Sequence, residues 1–97
     1  MDKFNTDLIL LNGIQIGYVQ YLQMSDYLYI NMLIIELDYQ SQGYGLKTLE
    51  EIGSIHPELP IQLRCFRVNP KALNFYLKNG FEIIKNDNEF FTLSKPI

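Results

Sequence analysis

The sequence predicts a single α/β domain over residues 1–97, an α+β mixed sheet with helices packed on it, in the order βββαβαββ. Three observations predict it. Short β-prone runs joined by tight-turn residues stand near both ends, at Leu8–Gln23 and Phe81–Leu93. Between them the apolar period changes twice from that of a strand to that of a helix. With 97 residues the chain has room for one core only.

The first two strands flank Asn12-Gly13, the strongest short-range hairpin signal. After Asp26, the run from Tyr27 to Ile35 is nearly continuous in apolar character, which suits a central strand covered on both faces. Past Gln40-Ser41-Gln42-Gly43-Tyr44-Gly45, a helix places Leu46, Leu49, Ile52 and Ile55 on one side and Lys47, Glu50, Glu51 and Ser54 on the other. It stops before Pro57, which disfavours helical geometry at His56. Ile61–Val68 alternates as a strand. Asn69-Pro70 then supplies an N-cap followed by proline at the first helical position, and Asn79-Gly80 a left-handed exit. On that second helix Ala72, Leu73, Tyr76 and Leu77 share the apolar face. Phe81–Ile84 and Phe90–Leu93 close the chain as a hairpin around Lys85–Glu89.

Composition narrows the function. Hydrophobic residues make up 47% of the chain, enough for a real core. The formal charge of −3 offers no basic stripe for a phosphate backbone, so nucleic acid is not an expected partner, whereas a cationic amine is compatible. The one cysteine, Cys65, and the one histidine, His56, leave no set with metal-ligand spacing and no histidine-based triad with a carboxylate in view. The stretch from Met1 to Asp7 lacks a basic leader, and Leu8–Leu11 is too short for a signal or a membrane span, which predicts a cytoplasmic protein without a membrane partner.

A strand that ends in a glycine turn and feeds a helix aims free backbone N–H groups and the positive helix end at one point, where an anion belongs. Gly43 and Gly45 carry no side chain to hold a phosphate away, and Gln40, Ser41 and Gln42 add polar contacts. The loop is neither a Walker loop nor the longer dinucleotide fingerprint. It resembles the signature Q/R-x-x-G-x-G/A of the GNAT N-acetyltransferases, filled by Gln40, Gly43 and Gly45. Downstream, the segment from Asn69 to Phe81 is similar to that family's pattern N-x-x-A-x-x-F/L-Y-x-x-x-G-F at every specified position. The likeness covers nearly the whole chain.

The resemblance implies a domain that binds acetyl-CoA and passes its acetyl group to an amine by direct attack. It implies that backbone around Ile35 and Leu37 takes the pantetheine arm, and that Gln40, Ser41, Gln42, Gly43, Tyr44 and Gly45, with Leu46 and Lys47, take the pyrophosphate. Asn69 would hydrogen-bond the pantetheine. Tyr76 would lie near the sulfur and protonate the departing thiolate as general acid. The base is less evident: the central strand holds no glutamate where some members carry one, Tyr29 occupies the matching place, and Glu36 is a weak candidate beside water. Cys65, on one strand face with Ile61 and Leu63, reads as a buried inert thiol, and His56 as an exposed turn residue.

Family domains begin with a strand and two helices that this chain does not hold before its hairpin, so the resemblance implies a truncated front. That front forms one wall of the acceptor cleft. Its absence predicts apolar side chains left open at Ile14, Ile16, Val19, Leu28 and Ile30, and hence a homodimer. Two alternatives stand beside an active enzyme: a catalytically silent acyl-CoA-binding or regulatory module, and one part of a split acetyltransferase that needs a partner chain.

Overall fold

Asn12 and Gly13 both take positive φ, 52° and 82°, the pair of left-handed residues that a tight hairpin turn demands. They fold β1 (Asn5–Leu11) back on β2 (Ile14–Gln23). The structure is a computed structural model, and it describes residues 4–97; residues 1–3, at the start of the stretch read for a leader, lie outside the described residues. A turn leads from β2 into β3 (Leu28–Ile35), again antiparallel. A 3₁₀ turn at Leu37–Tyr39 then precedes α1 (Tyr44–Ile55), followed by β4 (Ile61–Phe66), α2 (Pro70–Lys78), β5 (Glu82–Asn86) and β6 (Phe90–Lys95). Apart from the 3₁₀ turn, the order is the expected one. The six strands lie as β1-β2-β3-β4-β6-β5.

One junction in this sheet is parallel and incomplete. β3 and β4 pair only from Leu28↔Ile61 to Ile30↔Leu63, although β3 runs on to Ile35 and β4 to Phe66. Beyond Leu63 the two strands part, and their facing edges carry no partner strand.

Both helices cover the same face of the sheet. Ile61, Leu63 and Cys65 alternate inward along β4, Gly53 of α1 stands against Ile61, and Tyr76 of α2 lies beside Cys65. The core there joins Val19, Leu28, Ile30, Leu49, Ile52, Leu63, Phe81 and Leu93. Thr48 is buried with them, its hydroxyl donating to the Tyr44 carbonyl at 2.8 Å. Full burial of each large aliphatic side chain is worth roughly 1.5–3 kcal/mol. The opposite face has no helix over it and presents Tyr18, Tyr29, Ile34, Arg64, Phe66 and Phe90.

Several expectations need correction. Of the five residues expected to lie open, only Ile14 is exposed; Ile16, Val19, Leu28 and Ile30 are at most 4% accessible. Strand alternation points Val19, Leu28 and Ile30 under the helices. Ile16 is the extra residue of a bulge, where pairing jumps from Ile9↔Gly17 to Leu10↔Gln15, and it is buried. The patch expected to drive association is therefore not formed by those residues. β3 is likewise not covered on both faces, since Met32 and Ile34 are exposed. A second bulge, at Asn31 between Gln20↔Met32 and Tyr21↔Ile30, shifts the alternation midway. On the helices, Ile55 and Leu77 are exposed rather than core, and Phe75 packs on the core instead of Leu77.

Candidate active site

The parting of β3 from β4 opens a cleft of about 340 Å³ between α1 and α2. Leu33 and Ile35 line it from β3, Gly43, Tyr44 and Gly45 from the start of α1, and Asn69, Lys71, Ala72, Phe75 and Tyr76 from α2 and its cap, with Tyr39, Gln40 and Ser41 at the loop. A smaller hollow of about 180 Å³ lies on the other side of α1, against β1 and β2, and includes Tyr44, Lys47 and Glu51. It has neither the glycine loop's free amides nor Tyr76.

The loop at the mouth of the cleft is built to leave donors free. Gly43 is the N-cap of α1 with φ 90° and no side-chain cap, and the first backbone bond into the helix runs from Lys47 N–H to the Gly43 carbonyl at 3.0 Å. The amides of Tyr44, Gly45 and Leu46 precede that bond and have no partner within the helix. A Cβ on Gly43 would meet nothing within 4 Å, so the turn is open on that side, and Gly43, Tyr44 and Gly45 line the cleft. Ser41 also takes a left-handed φ of 64°. Gln40 donates from Nε2 to the Ile35 carbonyl at 2.9 Å, and Gln42 from Nε2 to the Asp38 carbonyl at 3.1 Å, so both side chains brace the loop.

Gly45 has a different reason to be bare. A Cβ there would stand 3.7 Å from the Phe75 ring and 4.0 Å from Leu33, so it faces the packing between α1 and α2.

Across the cleft from the loop's helix, Tyr76 of α2 sits edge-on between Phe75 and Phe81, with ring centroids 5.2 and 5.3 Å away. Burial pushes its hydroxyl above the ordinary tyrosine value, and neighbouring Cys65 adds to the rise. Burial likewise raises the Cys65 thiol. Asn69 caps α2 by accepting from the Ala72 N–H at 3.1 Å, which leaves its amide N–H₂ free to donate toward the cleft.

The structure thus brings Ile35, Gln40, Ser41, Gly43, Tyr44, Gly45, Asn69 and Tyr76 to one cleft. Leu37, Gln42, Leu46, Lys47 and Glu36 are not among its lining. Leu37 is 80% exposed in the 3₁₀ turn, because the chain leaves the strand at Ile35. Glu36 is exposed, with its N–H bonded to the Ile16 carbonyl at 2.8 Å, and Lys47 faces the smaller hollow. Tyr29 is half-buried on the open face. His56 is half-buried, its Nδ1 3.2 Å from Glu58 Oε1. Leu33, Tyr39, Lys71, Ala72 and Phe75 were not anticipated. The signal for Lys71 was its place in the first turn of α2, the second residue after the Asn69 cap, on the helix that faces the glycine loop across the cleft.

A family model described as the acetyltransferase (GNAT) domain matches residues 6–83. The chain belongs to that family. Solved structures with the same fold include an acetyltransferase from Thermus thermophilus, with TM-score 0.88 and 21% identity over 97% of this chain and 64% of that one. The PaiA N-acetyltransferase of Thermoplasma acidophilum, in complex with coenzyme A, follows with 0.83 and 22% over 97% and 61%. A GNAT family acetyltransferase from Elizabethkingia anophelis with acetyl-CoA bound gives 0.84 and 15% over 97% and 76%. The chain spans less than two thirds of the length of the first two. No curated protein matches the sequence. No helix among the described residues is long and apolar enough to cross a membrane.

Proposed function

We propose that this domain binds acetyl-CoA in the cleft between α1 and α2 and transfers its acetyl group to an amine. One observation carries the reading: the uncapped amides after Gly43, the edge of β3 beyond its pairing with β4, and the half-buried Tyr76 all border one cleft. The amides and the Lys71 ammonium suit a pyrophosphate, the parted strands suit an extended amide-bearing arm added beside them, and Tyr76 suits a proton donor. Two relatives of the same fold were solved with coenzyme A or acetyl-CoA, which supports the choice of donor.

In the proposed reaction a neutral amine attacks the thioester carbonyl, the C–N bond forms, and the C–S bond breaks with its electron pair on sulfur. Backbone N–H groups of the β3 edge stabilise the oxyanion. Tyr76 gives its proton to the thiolate and recovers one from the amine through water. No Asp, Glu or His lines the cleft among the described residues, so water takes the place of Glu36 as proton acceptor. That same lack favours the second reading, a silent acyl-CoA-binding module.

Calorimetry with acetyl-CoA, followed by thiol release across a panel of amines, tests the proposal. Gly43→Asp places a side chain and a negative charge in front of the free amides and should abolish binding. Undiminished affinity in that variant would remove the loop from the site, and binding without thiol release from any amine would favour the silent module.

A further inference from the structure

We propose that the acceptor is an amine that also carries a carboxylate, and that Arg64 receives this carboxylate on the open face of the sheet. The inference rests on the acetyl-transfer reading above. With α1 and α2 on one face, the donor fills the parted strands from the helix side, and the acceptor reaches the thioester from the face without helices. Alternation along β4 buries Ile61, Leu63 and Cys65 and turns Arg64 to that open face, one residue past Leu63, where pairing with β3 ends. The Arg64 backbone therefore stands at the rim of the gap, with its side chain running along the open face toward β6.

The side chain is held for use. Its guanidinium lies 3.9 Å from the centroid of the Phe90 ring, and Phe90 stacks on Phe66 at 4.6 Å. Stacking engages the flat face of the guanidinium and leaves its in-plane N–H fork free, the geometry that accepts a carboxylate in two parallel bonds. Nor is the charge spent. Among the described residues no carboxylate pairs with Arg64. The acid that feels it, Asp87, already accepts the N–H groups of Glu89 and Phe90 at 2.8 Å each. Residues 61–97 hold six Lys or Arg against three Asp or Glu, whereas residues 1–60 hold two against eight. The half of the chain that contains β4 is thus cationic in an acidic chain, which favours an anionic group over a polyamine on that side. Exposed Phe66 adds an apolar surface for the body of the acceptor.

The test compares L-phenylalanine, L-phenylalaninamide, L-alanine, L-alaninamide and spermidine with wild type and Arg64→Gln. Thiol release with saturating acetyl-CoA gives kcat/KM, and calorimetry on the CoA-loaded protein gives acceptor affinity. In Arg64→Gln the acid-to-amide ratio of kcat/KM should fall on the order of tenfold, the cost of a charge-assisted hydrogen-bond pair. Calorimetric affinity for the free acids should fall likewise, while acetyl-CoA affinity stays at the wild-type value and reports an intact fold. An unchanged ratio and unchanged acid affinity, no measurable binding of either acid to wild type, or spermidine as the best acceptor would overturn the proposal. Acid binding that weakens in the variant without thiol release from either protein would uphold the carboxylate site and overturn acetyl transfer alone.

Discussion

Tyr76 lines the cleft, its ring wedged between Phe75 and Phe81. Burial and Cys65 both raise its pKa, so the hydroxyl keeps its proton at neutral pH and can give it up only to a strong base such as a thiolate. Tyr76→Phe retains the wedge and removes the proton; turnover should fall about 10²-fold or more with acetyl-CoA affinity unchanged, and equal thiol release would reduce Tyr76 to a core residue. The same shift has a consequence for stability. A raised folded-state pKa contributes stability that is complete below the unfolded tyrosine value of about 10 and lost as pH climbs through the folded value. Urea unfolding should therefore show stability declining above about pH 10, and less steeply in Tyr76→Phe. Tyr21, raised by burial and by Asp7, and Cys65, raised by burial from a lower ordinary value of about 8.5, keep part of the decline in the variant, the thiol's share setting in first. Tyr76 was legible in the sequence because a spaced motif carries it. The brace from Gln40 to the Ile35 carbonyl was not, because it depends on how the loop folds back on the strand it leaves.

At the scale of elements, β2 and β3 approach so closely that a Cβ on Gly17 would overlap the Ile34 carbonyl oxygen. This fixes the backbone at the end of β3, between the cleft-lining Leu33 and Ile35. Gly17→Ala should destabilise by about 1–3 kcal/mol in urea unfolding, since neither backbone can yield without breaking the ladder. Gly45→Ala should cost little: its Cβ finds ordinary contact distances, and alanine favours helix by up to about 1 kcal/mol. Equal losses in the two variants would show that the approach at Gly17 is not what constrains β3. Local signals located the Asn12-Gly13 turn, the start of α1 at the glycines and both ends of α2, since turn and cap chemistry lies within a few residues. Face assignment failed for Val19, Leu28 and Ile30 because which face of the sheet the helices cover is a tertiary choice, and elsewhere it failed where bulges intervene. Ile16 and Asn31 reset the alternation of β2 and β3, and a bulge is set by the partner strand rather than by the strand's own sequence.

For the whole molecule, the cleft divides the chain into a half built on β1–β3 with α1 and a half built on β4 with α2, β5 and β6, and the sheet joins them through only three residue pairs of β3 and β4. A ligand seated against Leu33 and Ile35 on one wall and Asn69 and Tyr76 on the other bridges both halves beyond the point where the ladder ends. Acetyl-CoA should accordingly stabilise the fold, by about 2.7 kcal/mol at a free concentration one hundred times Kd. The stabilisation should also be local. Amide exchange in the β3 segment 31–35 and at the start of α1 should slow by more than mass action on global unfolding provides, because these groups gain a direct partner. Gly43→Asp, compared with its own ligand-free state, should show neither effect. A thermal shift in wild type with no added protection of the 31–35 amides would place the ligand elsewhere, with the smaller hollow beside Lys47 the next site to probe.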